Sequence, residues 1–269
     1  MWRRLLLFAC LLVFAPQRLS ALIFGPDDRM AVSSQAGSVY GPIGVIFGGS
    51  ASGHATAFLV SDCHVLTVRH AFNSVGSIVG ARATFAAGAS GDARNWTVTE
   101  AQVVEAGNST TTNASASSED WALLRLKKCL GRRYGTVLLS SQMPQLGQRV
   151  QLAGYPNDKS FAAGLILDPD CQVRHIGDDG LIRHDCATQP GNSGSPLFDI
   201  IEANGQKRLR VFGMNNVGHS YGVPGANLRL PVTSYHPVYA GSALPIKQLA
   251  LLPPSTPRFR RQSNTGRGH

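Results

Sequence analysis

The stretch QPGNSGSPLF, residues 189–198, decides how the rest of this sequence is interpreted. It places two serines, Ser193 and Ser195, in a glycine-containing hexapeptide directly ahead of an apolar run. Such hexapeptides are most often plain turns. A sharp turn can also present a serine hydroxyl as a nucleophile, with backbone N–H groups beside it to bind an oxyanion. Only partners elsewhere in the chain can separate these two interpretations.

The surrounding sequence predicts an all-β protein. Short apolar runs rich in β-branched and aromatic residues recur between clusters of Gly, Asn, Asp and Ser, and convincing helical periodicity is limited to a possible segment, IKQLALL. This pattern is typical of barrels or sandwiches. The stretch 130–147 divides the chain into halves of about six strands each. The predicted strands are IGVIFGG, ATAFLV, HVLTV, ARATFA, WTVTEAQVVEA and WALLRL, then QRVQLAG, QVRHI, LIRHD, SPLFDI, RLRVFGM and ANLRLPV.

The two ends of the chain differ from its middle. Residues 1–21 have a basic start, an apolar run and small residues near Ala21, which predicts a cleavable secretory signal and therefore a secreted or periplasmic protein. Residues 22–39 are expected to be an N-terminal segment, with a pro-region as one option, and 253–269 a basic disordered tail. Seven arginines lie in the signal and the tail, so most of the formal net charge of +9 is outside the core. A nucleic-acid-binding face is therefore not expected.

The cysteines indicate disulfides. Apart from Cys10 in the signal, the chain has Cys63, Cys129, Cys171 and Cys186. An even count in an exported protein suggests two bridges. The segment between Cys171 and Cys186 reads as two strands around a turn, which favours that pair and leaves Cys63–Cys129 by elimination. A zinc site is the weaker alternative, because no Cys-x-x-Cys pair is present.

Two upstream residues are candidate partners for a nucleophilic serine. Among eight histidines, only His70 ends an apolar strand and opens into a turn of small residues. Asp120 stands where a polar loop meets an apolar strand, a position where a carboxylate can be buried and still accept hydrogen bonds. His64, His175 and His184 lie on predicted strands and are expected to be surface or packing residues.

These three segments, in this order, resemble the three motifs of chymotrypsin-like serine peptidases: HVLTVRHAF (64–72), EDWALLRL (119–126) and QPGNSGSPLF. The GNSGSP form is most similar to the bacterial glutamyl endopeptidase branch. The resemblance implies two six-stranded antiparallel β-barrels, about 40–132 and 133–240, in a peptidase domain of 40–252. It also implies a general base at His70, its orienting acid at Asp120 and a nucleophile at Ser193, with an oxyanion hole formed by Gly191 and Ser193.

The sequence also departs from the family pattern. Arg69 replaces the usual alanine before the histidine and is expected to reach solvent or an acidic partner. Asn192 replaces the usual aspartate before the nucleophile, and an amide carries no charge to pair with a newly cut N-terminus. The resemblance places the primary substrate pocket at Ala187, Thr188, Asn215, Asn216 and Gly218. Without a carboxylate there, a preference for Lys or Arg is not expected.

The sequence therefore predicts an exported serine endopeptidase that acts through an acyl-enzyme. It is expected to act on polypeptides as a monomer, without a cofactor, a metal or stable insertion in a membrane after signal removal. A catalytically inactive binding module on the same fold and an esterase-type acyl hydrolase are the alternatives. A protease with an added peptide-binding domain is disfavoured, because only 37 residues follow Val232.

Overall fold

The computed structural model describes residues 23, 27–48, 53–72, 76–108, 117–218 and 241–245. The predicted signal and the predicted basic tail lie outside the described residues. The described chain forms strands β1 (Met30–Val32), β2 (Ile43–Phe47), β3 (His54–Ser61), β4 (His64–Thr67), β5 (Arg82–Ala87), β6 (Thr97–Ala106), β7 (Ala122–Leu126), β8 (Leu138–Leu139), β9 (Arg149–Gly154), β10 (Leu165–Ile176), β11 (Ile182–His184), β12 (Pro196–Ala203), β13 (Gln206–Gly218) and β14 (Gly241–Pro245). The helical pieces are one α-helix, α1 (Gly131–Tyr134), and 3₁₀ turns at Arg69–Phe72, Ala93–Asn95 and Phe161–Ala163. None of the described helices is long and apolar enough to span a membrane.

Strands β2 to β7 close into a barrel. Their order around it is β2-β3-β4-β7-β6-β5, and all pairs are antiparallel. Strand β6 alternates between buried and exposed residues along its centre, as a strand with one solvent face does. Strands β2 and β3 are buried along most of their length, and both contact the second half of the chain: β2 packs against β9, and Thr56 of β3 bonds to Gly191. All six correspond to strands predicted from the sequence.

The second half forms another ring. Antiparallel pairs join β9 to β10, β10 to β11, β11 to β14, β14 to β13, β13 to β12 and β12 back to β9. Strands β1 and β8 are added to this ring on β10 and β13. The expected all-β fold of two six-stranded antiparallel barrels is therefore confirmed.

The last strand of the second ring differs from the prediction. The ring is closed by Gly241–Pro245, whose sequence GSALP has the composition of a loop. It becomes a strand because β11 and β13 lie on either side of it and supply its hydrogen bonds. The predicted strand ANLRLPV, residues 226–232, lies outside the described residues.

The two barrels share one apolar core. Buried side chains of the first barrel, including Val45 and Phe58, belong to the same contact cluster as Leu165, Phe198 and Met214 of the second. A smaller cluster surrounds the Cys171–Cys186 disulfide. The other disulfide, Cys63–Cys129, joins the β3–β4 turn to the connection between the barrels. Because the barrels pack on each other, residues at their junction can be held from both sides.

Candidate active site

His70 and Asp120 are in direct contact. His70 lies in the 3₁₀ turn after β4, and Asp120 lies two residues before β7. One oxygen of Asp120, Oδ2, is 2.7 Å from His70 Nδ1, and the other, Oδ1, accepts the backbone N–H of His70 at 2.9 Å. An ionised carboxylate only accepts hydrogen bonds, so the proton lies on Nδ1 and Nε2 is left free to accept one. Asp120 is 2% exposed while 13% of the His70 side chain reaches solvent, which puts the acid behind the imidazole.

The two serines of the turn have different environments. Ser195 is fully buried, and its Oγ lies where a side chain at Gly154 would have to go. Ser193 is only partly buried. Ser193 is therefore the more exposed serine of the pair.

The turn lies against β3, which pairs with β4, the strand that leads to His70. The backbone N–H of Thr56 in β3 donates to the carbonyl of Ser193 at 2.8 Å. Thr67, at the end of β4, donates through Oγ1 to the carbonyl of Thr56 at 2.7 Å. A short chain of hydrogen bonds thus connects Ser193 to a residue three positions before His70.

Two carbonyls of the turn, those of Pro190 and Asn192, are fixed by hydrogen bonds, and this fixes the direction of the N–H groups that follow them. The carbonyl of Pro190 accepts from the N–H of Asn157 at 2.7 Å. The carbonyl of Asn192 accepts from the N–H of Ser195 and from Nδ2 of Asn215, both at 3.0 Å. In a planar trans peptide the N–H points opposite to the carbonyl. The N–H groups that follow these carbonyls belong to Gly191 and Ser193, and neither has an acceptor among the residues that the structure describes.

The two departures from the family pattern have structural consequences. Of the two environments expected for Arg69, solvent or an acidic partner, the first is wrong: Arg69 is 4% exposed, and its guanidinium donates to the carbonyl of Gly76. Asn192 is 2% exposed, and its Oδ1 has no partner among the described residues. That Asn192 cannot form the charge pair of an activation switch stays a prediction.

The five residues expected to line the substrate pocket have different environments. Ala187 and Thr188 are buried beside the turn, and Thr188 Oγ1 has no partner within the described chain. Asn215 and Asn216 use their side-chain amides elsewhere: Asn215 holds the Asn192 carbonyl, and Asn216 donates to the carbonyl of Ser117 at 3.1 Å, three residues before Asp120. The fifth residue, Gly218, ends β13 opposite Gly241.

Sequence reasoning missed a buried acid that contacts Ala187, one of the residues expected to line the pocket. Asp168 in β10 is 5% exposed and accepts the N–H of Ala187 at 2.6 Å. Burial raises its pKa to about 6, and the nearby acids Asp28 and Asp185 also raise it, while hydrogen bonds from Ala187 and Asp170 oppose this. No local pattern marks Asp168, because its burial comes from strands distant in sequence.

The pKa of His184 is shifted downward, whereas that of Asp168 is shifted upward. It is fully buried, and burial lowers its pKa to about 4 although the charge of Asp185 opposes this. The unfolded chain takes up a proton at this residue near pH 6.5, before the folded chain does. Wild-type stability from His184 is therefore present above pH 6.5 and is lost as the pH falls toward 4.

In the variant Asp168→Asn, the loss of stability that His184 causes at low pH should become measurable. In the wild type the folded state protonates Asp168 first, so that stability is gained as the pH falls from about 6 to below 3.8. The variant lacks this gain. Its free energy of unfolding, measured in urea, should therefore fall relative to the wild type by about 2 to 3 kcal/mol between roughly pH 7 and pH 4. Parallel stability profiles of the two proteins would contradict the assignment.

One group of candidate metal ligands is present among the described residues. Asp168, Cys171 and Cys186 have ligand atoms within 4.8 Å of one another. The two cysteines form a disulfide, so their sulfurs are not the thiolates that bind metals. The group does not support a metal centre.

Comparison with known proteins decides the family. The trypsin-like peptidase domain matches residues 55–204, which is more than half of the chain. The chain belongs to the trypsin-like peptidase family. This membership confirms the expected class of enzyme, a serine-type endopeptidase. No curated protein matches the sequence of this peptidase.

Solved structures share the fold of this trypsin-like peptidase. A Glu endopeptidase matches with a TM-score of 0.58 and 22% identity over 82% of this chain and 92% of that chain. The protease Anisep from Arthrobacter nicotinovorans matches with a TM-score of 0.53 and 17% identity over 81% of this chain and 93% of that chain. A serine endoprotease from Yersinia pestis matches with a TM-score of 0.50 and 16% identity over 78% of this chain and 60% of that chain. The expected likeness to glutamyl endopeptidase is thus found at the level of fold.

Proposed function

We propose that this peptidase cleaves polypeptides with His70 as general base, Asp120 as its orienting acid and Ser193 as nucleophile. The contact between His70 Nδ1 and the buried Asp120 carboxylate carries this proposal, because it fixes the tautomer that leaves Nε2 able to accept a proton. The partial exposure of Ser193 and the two N–H groups directed away from the held carbonyls support it.

The chemistry follows from these positions. His70 Nε2 takes the proton of Ser193 as Oγ forms a bond to the carbonyl carbon of the substrate. The carbonyl oxygen becomes an oxyanion, which accepts hydrogen bonds from the N–H groups of Gly191 and Ser193. The C–N bond then breaks, and His70 gives its proton to the departing amine. A water molecule, deprotonated by His70, hydrolyses the ester to Ser193 and restores the enzyme.

The proposed setting of this reaction is outside the cytoplasm. Two disulfides, Cys63–Cys129 and Cys171–Cys186, fit an oxidising compartment. We propose the domain organisation expected from the sequence: a signal removed after Ala21, an N-terminal segment to residue 39, a peptidase domain of residues 40–252 that acts as a monomer, and a basic tail.

Labelling with a fluorophosphonate probe tests the nucleophile. The probe forms an O–P bond to an activated serine and releases fluoride. Wild-type protein should be labelled, and Ser193→Ala should lose the label entirely. Ser195→Ala is the matched control and should keep it, because the Ser195 hydroxyl is buried.

Each result separates the proposal from an alternative. Labelling that persists in Ser193→Ala would overturn the assignment of the nucleophile. A correctly folded wild type that is never labelled would indicate a binding module. Labelling with turnover of esters but no cleavage of a peptide library would indicate an esterase.

A further inference from the structure

Thr56 uses its backbone N–H and its side-chain hydroxyl to hold the segments around the candidate nucleophile. It is fully buried in β3 of the first barrel. Its N–H donates to the carbonyl of Ser193 at 2.8 Å, and its Oγ1 donates to the carbonyl of Gly191 at 2.9 Å. The same Oγ1 accepts the N–H of Tyr155 at 3.1 Å. One hydroxyl thus connects the first barrel to two segments of the second.

The hydrogen bonds of the segment 155–157 and of Thr56 together orient the N–H of Gly191. Tyr155 stands two residues before Asn157, whose N–H holds the carbonyl of Pro190. That carbonyl and the N–H of Gly191 belong to one planar peptide and point in opposite directions. The carbonyl of Gly191, on the other side of the same residue, is held by Thr56. The Thr56 hydroxyl therefore holds the peptide before Gly191 through Tyr155 and the peptide after it directly.

A rotation at Gly191 is the movement that this arrangement prevents. Gly191 has φ +97°, and without a side chain its flanking peptides can turn at little cost. If the peptide before it turned over, its carbonyl would point to where the oxyanion must sit. External hydrogen bonds are needed to keep one orientation.

We propose that Thr56 is a positioning residue that keeps the oxyanion hole of the second barrel in its active orientation. This rests on the proposed function, since it concerns the N–H groups assigned there to the oxyanion. Thr56 touches neither substrate nor the reacting atoms, so it acts through Gly191. The barrel that supplies the base and acid thus also controls the hydrogen-bond donors of the other barrel.

The change Thr56→Val tests this, because it keeps the shape of the side chain and removes the hydroxyl. We expect kcat to fall about 10- to 100-fold with KM within about twofold, since a misoriented donor costs part of the 10²–10³-fold carried by one oxyanion donor. Thr56→Ser, which restores the hydroxyl, should regain most of the rate. Thr99→Val is the matched control, because Thr99 is also buried and accepts a backbone N–H, from Lys128, without contacting the turn.

A second readout separates positioning from general destabilisation. A peptidyl trifluoromethyl ketone adds Ser193 Oγ to its carbonyl carbon, and the resulting oxygen occupies the oxyanion hole. Fluorine NMR of this adduct should show a higher pKa of the hemiketal in Thr56→Val than in the wild type and in Thr99→Val. A purely structural role would lower the denaturation midpoint and leave this pKa unchanged.

The outcomes also distinguish this inference from the proposed function. If the wild type neither hydrolyses peptides nor forms the adduct, the proposed function fails. If the wild type is active and Thr56→Val has the kcat and the hemiketal pKa of the wild type, the positioning role of Thr56 is overturned and the triad is unaffected.

Discussion

Asp120→Asn should lower kcat about 10,000-fold without unfolding the protein, the loss typical of a triad whose histidine takes the wrong tautomer. The backbone N–H of His70 can only donate, so the side-chain amide introduced by Asp120→Asn must turn its oxygen toward that N–H. Its NH₂ then faces Nδ1 of His70, which must become an acceptor. The proton moves to Nε2, which can no longer take the proton of Ser193.

Steady-state kinetics with titrated active sites would measure this effect. Glu119→Gln is the matched control, because it neutralises the neighbouring carboxylate, which bonds to the N–H of Asn108 on the surface. That control should retain activity within about twofold, as surface changes usually do. A loss smaller than about tenfold in Asp120→Asn would contradict the role given to the His70–Asp120 contact.

Gly194→Ala should destabilise the fold by about 2 to 6 kcal/mol. Gly194 has φ +86°, which L side chains rarely adopt. A methyl group there would lie 2.0 Å from the carbonyl oxygen of Thr56 and 2.7 Å from Oγ1 of Thr67, so that β3 would have to move away. Such a loss is a large part of the stability of a typical domain.

Denaturant unfolding of the purified variant would test this, with the yield of folded protein as a second measure. Gly147→Ala is the control: its φ is +77°, but nothing lies within 4 Å of the added carbon. It should cost only the backbone term of about 1 to 2 kcal/mol. Equal losses in the two variants would show that the steric contact with Thr56 is unimportant.

The sequence predicted the first barrel more completely than the second, for physical reasons. Strands such as β6 show their class in the alternation of local residues. Strand β10 was predicted only from Gln172 onward. Its earlier part contains Pro169, a residue that is unusual inside a strand, and the structure accommodates it at a shift of register between Asp168 and Cys171. The GSALP strand depends on its neighbours, which local composition cannot reveal.

The candidate site was predictable where a motif fixes a residue and its local setting. His70, Asp120 and Ser193 each stand at the end or start of a strand, so order and setting singled them out. The burial that separates Ser193 from Ser195 comes from packing against Gly154. The positions of Arg69 and of the amide of Asn215 depend on partners that a motif does not specify. Thr56 gave no signal, because its partner Gly191 is 135 residues away in the chain.

The hydrogen bond from Asn215 to Asn192 has a consequence for the timing of activity during synthesis. The two residues are 23 positions apart, so the turn that contains Ser193 leaves the ribosome before Asn215 of β13, which holds the carbonyl of Asn192. A nascent chain that ends before Asn215 contains all three proposed triad residues but lacks this support for the N–H of Ser193. Full hydrolytic competence would therefore begin only after most of the polypeptide has been translated.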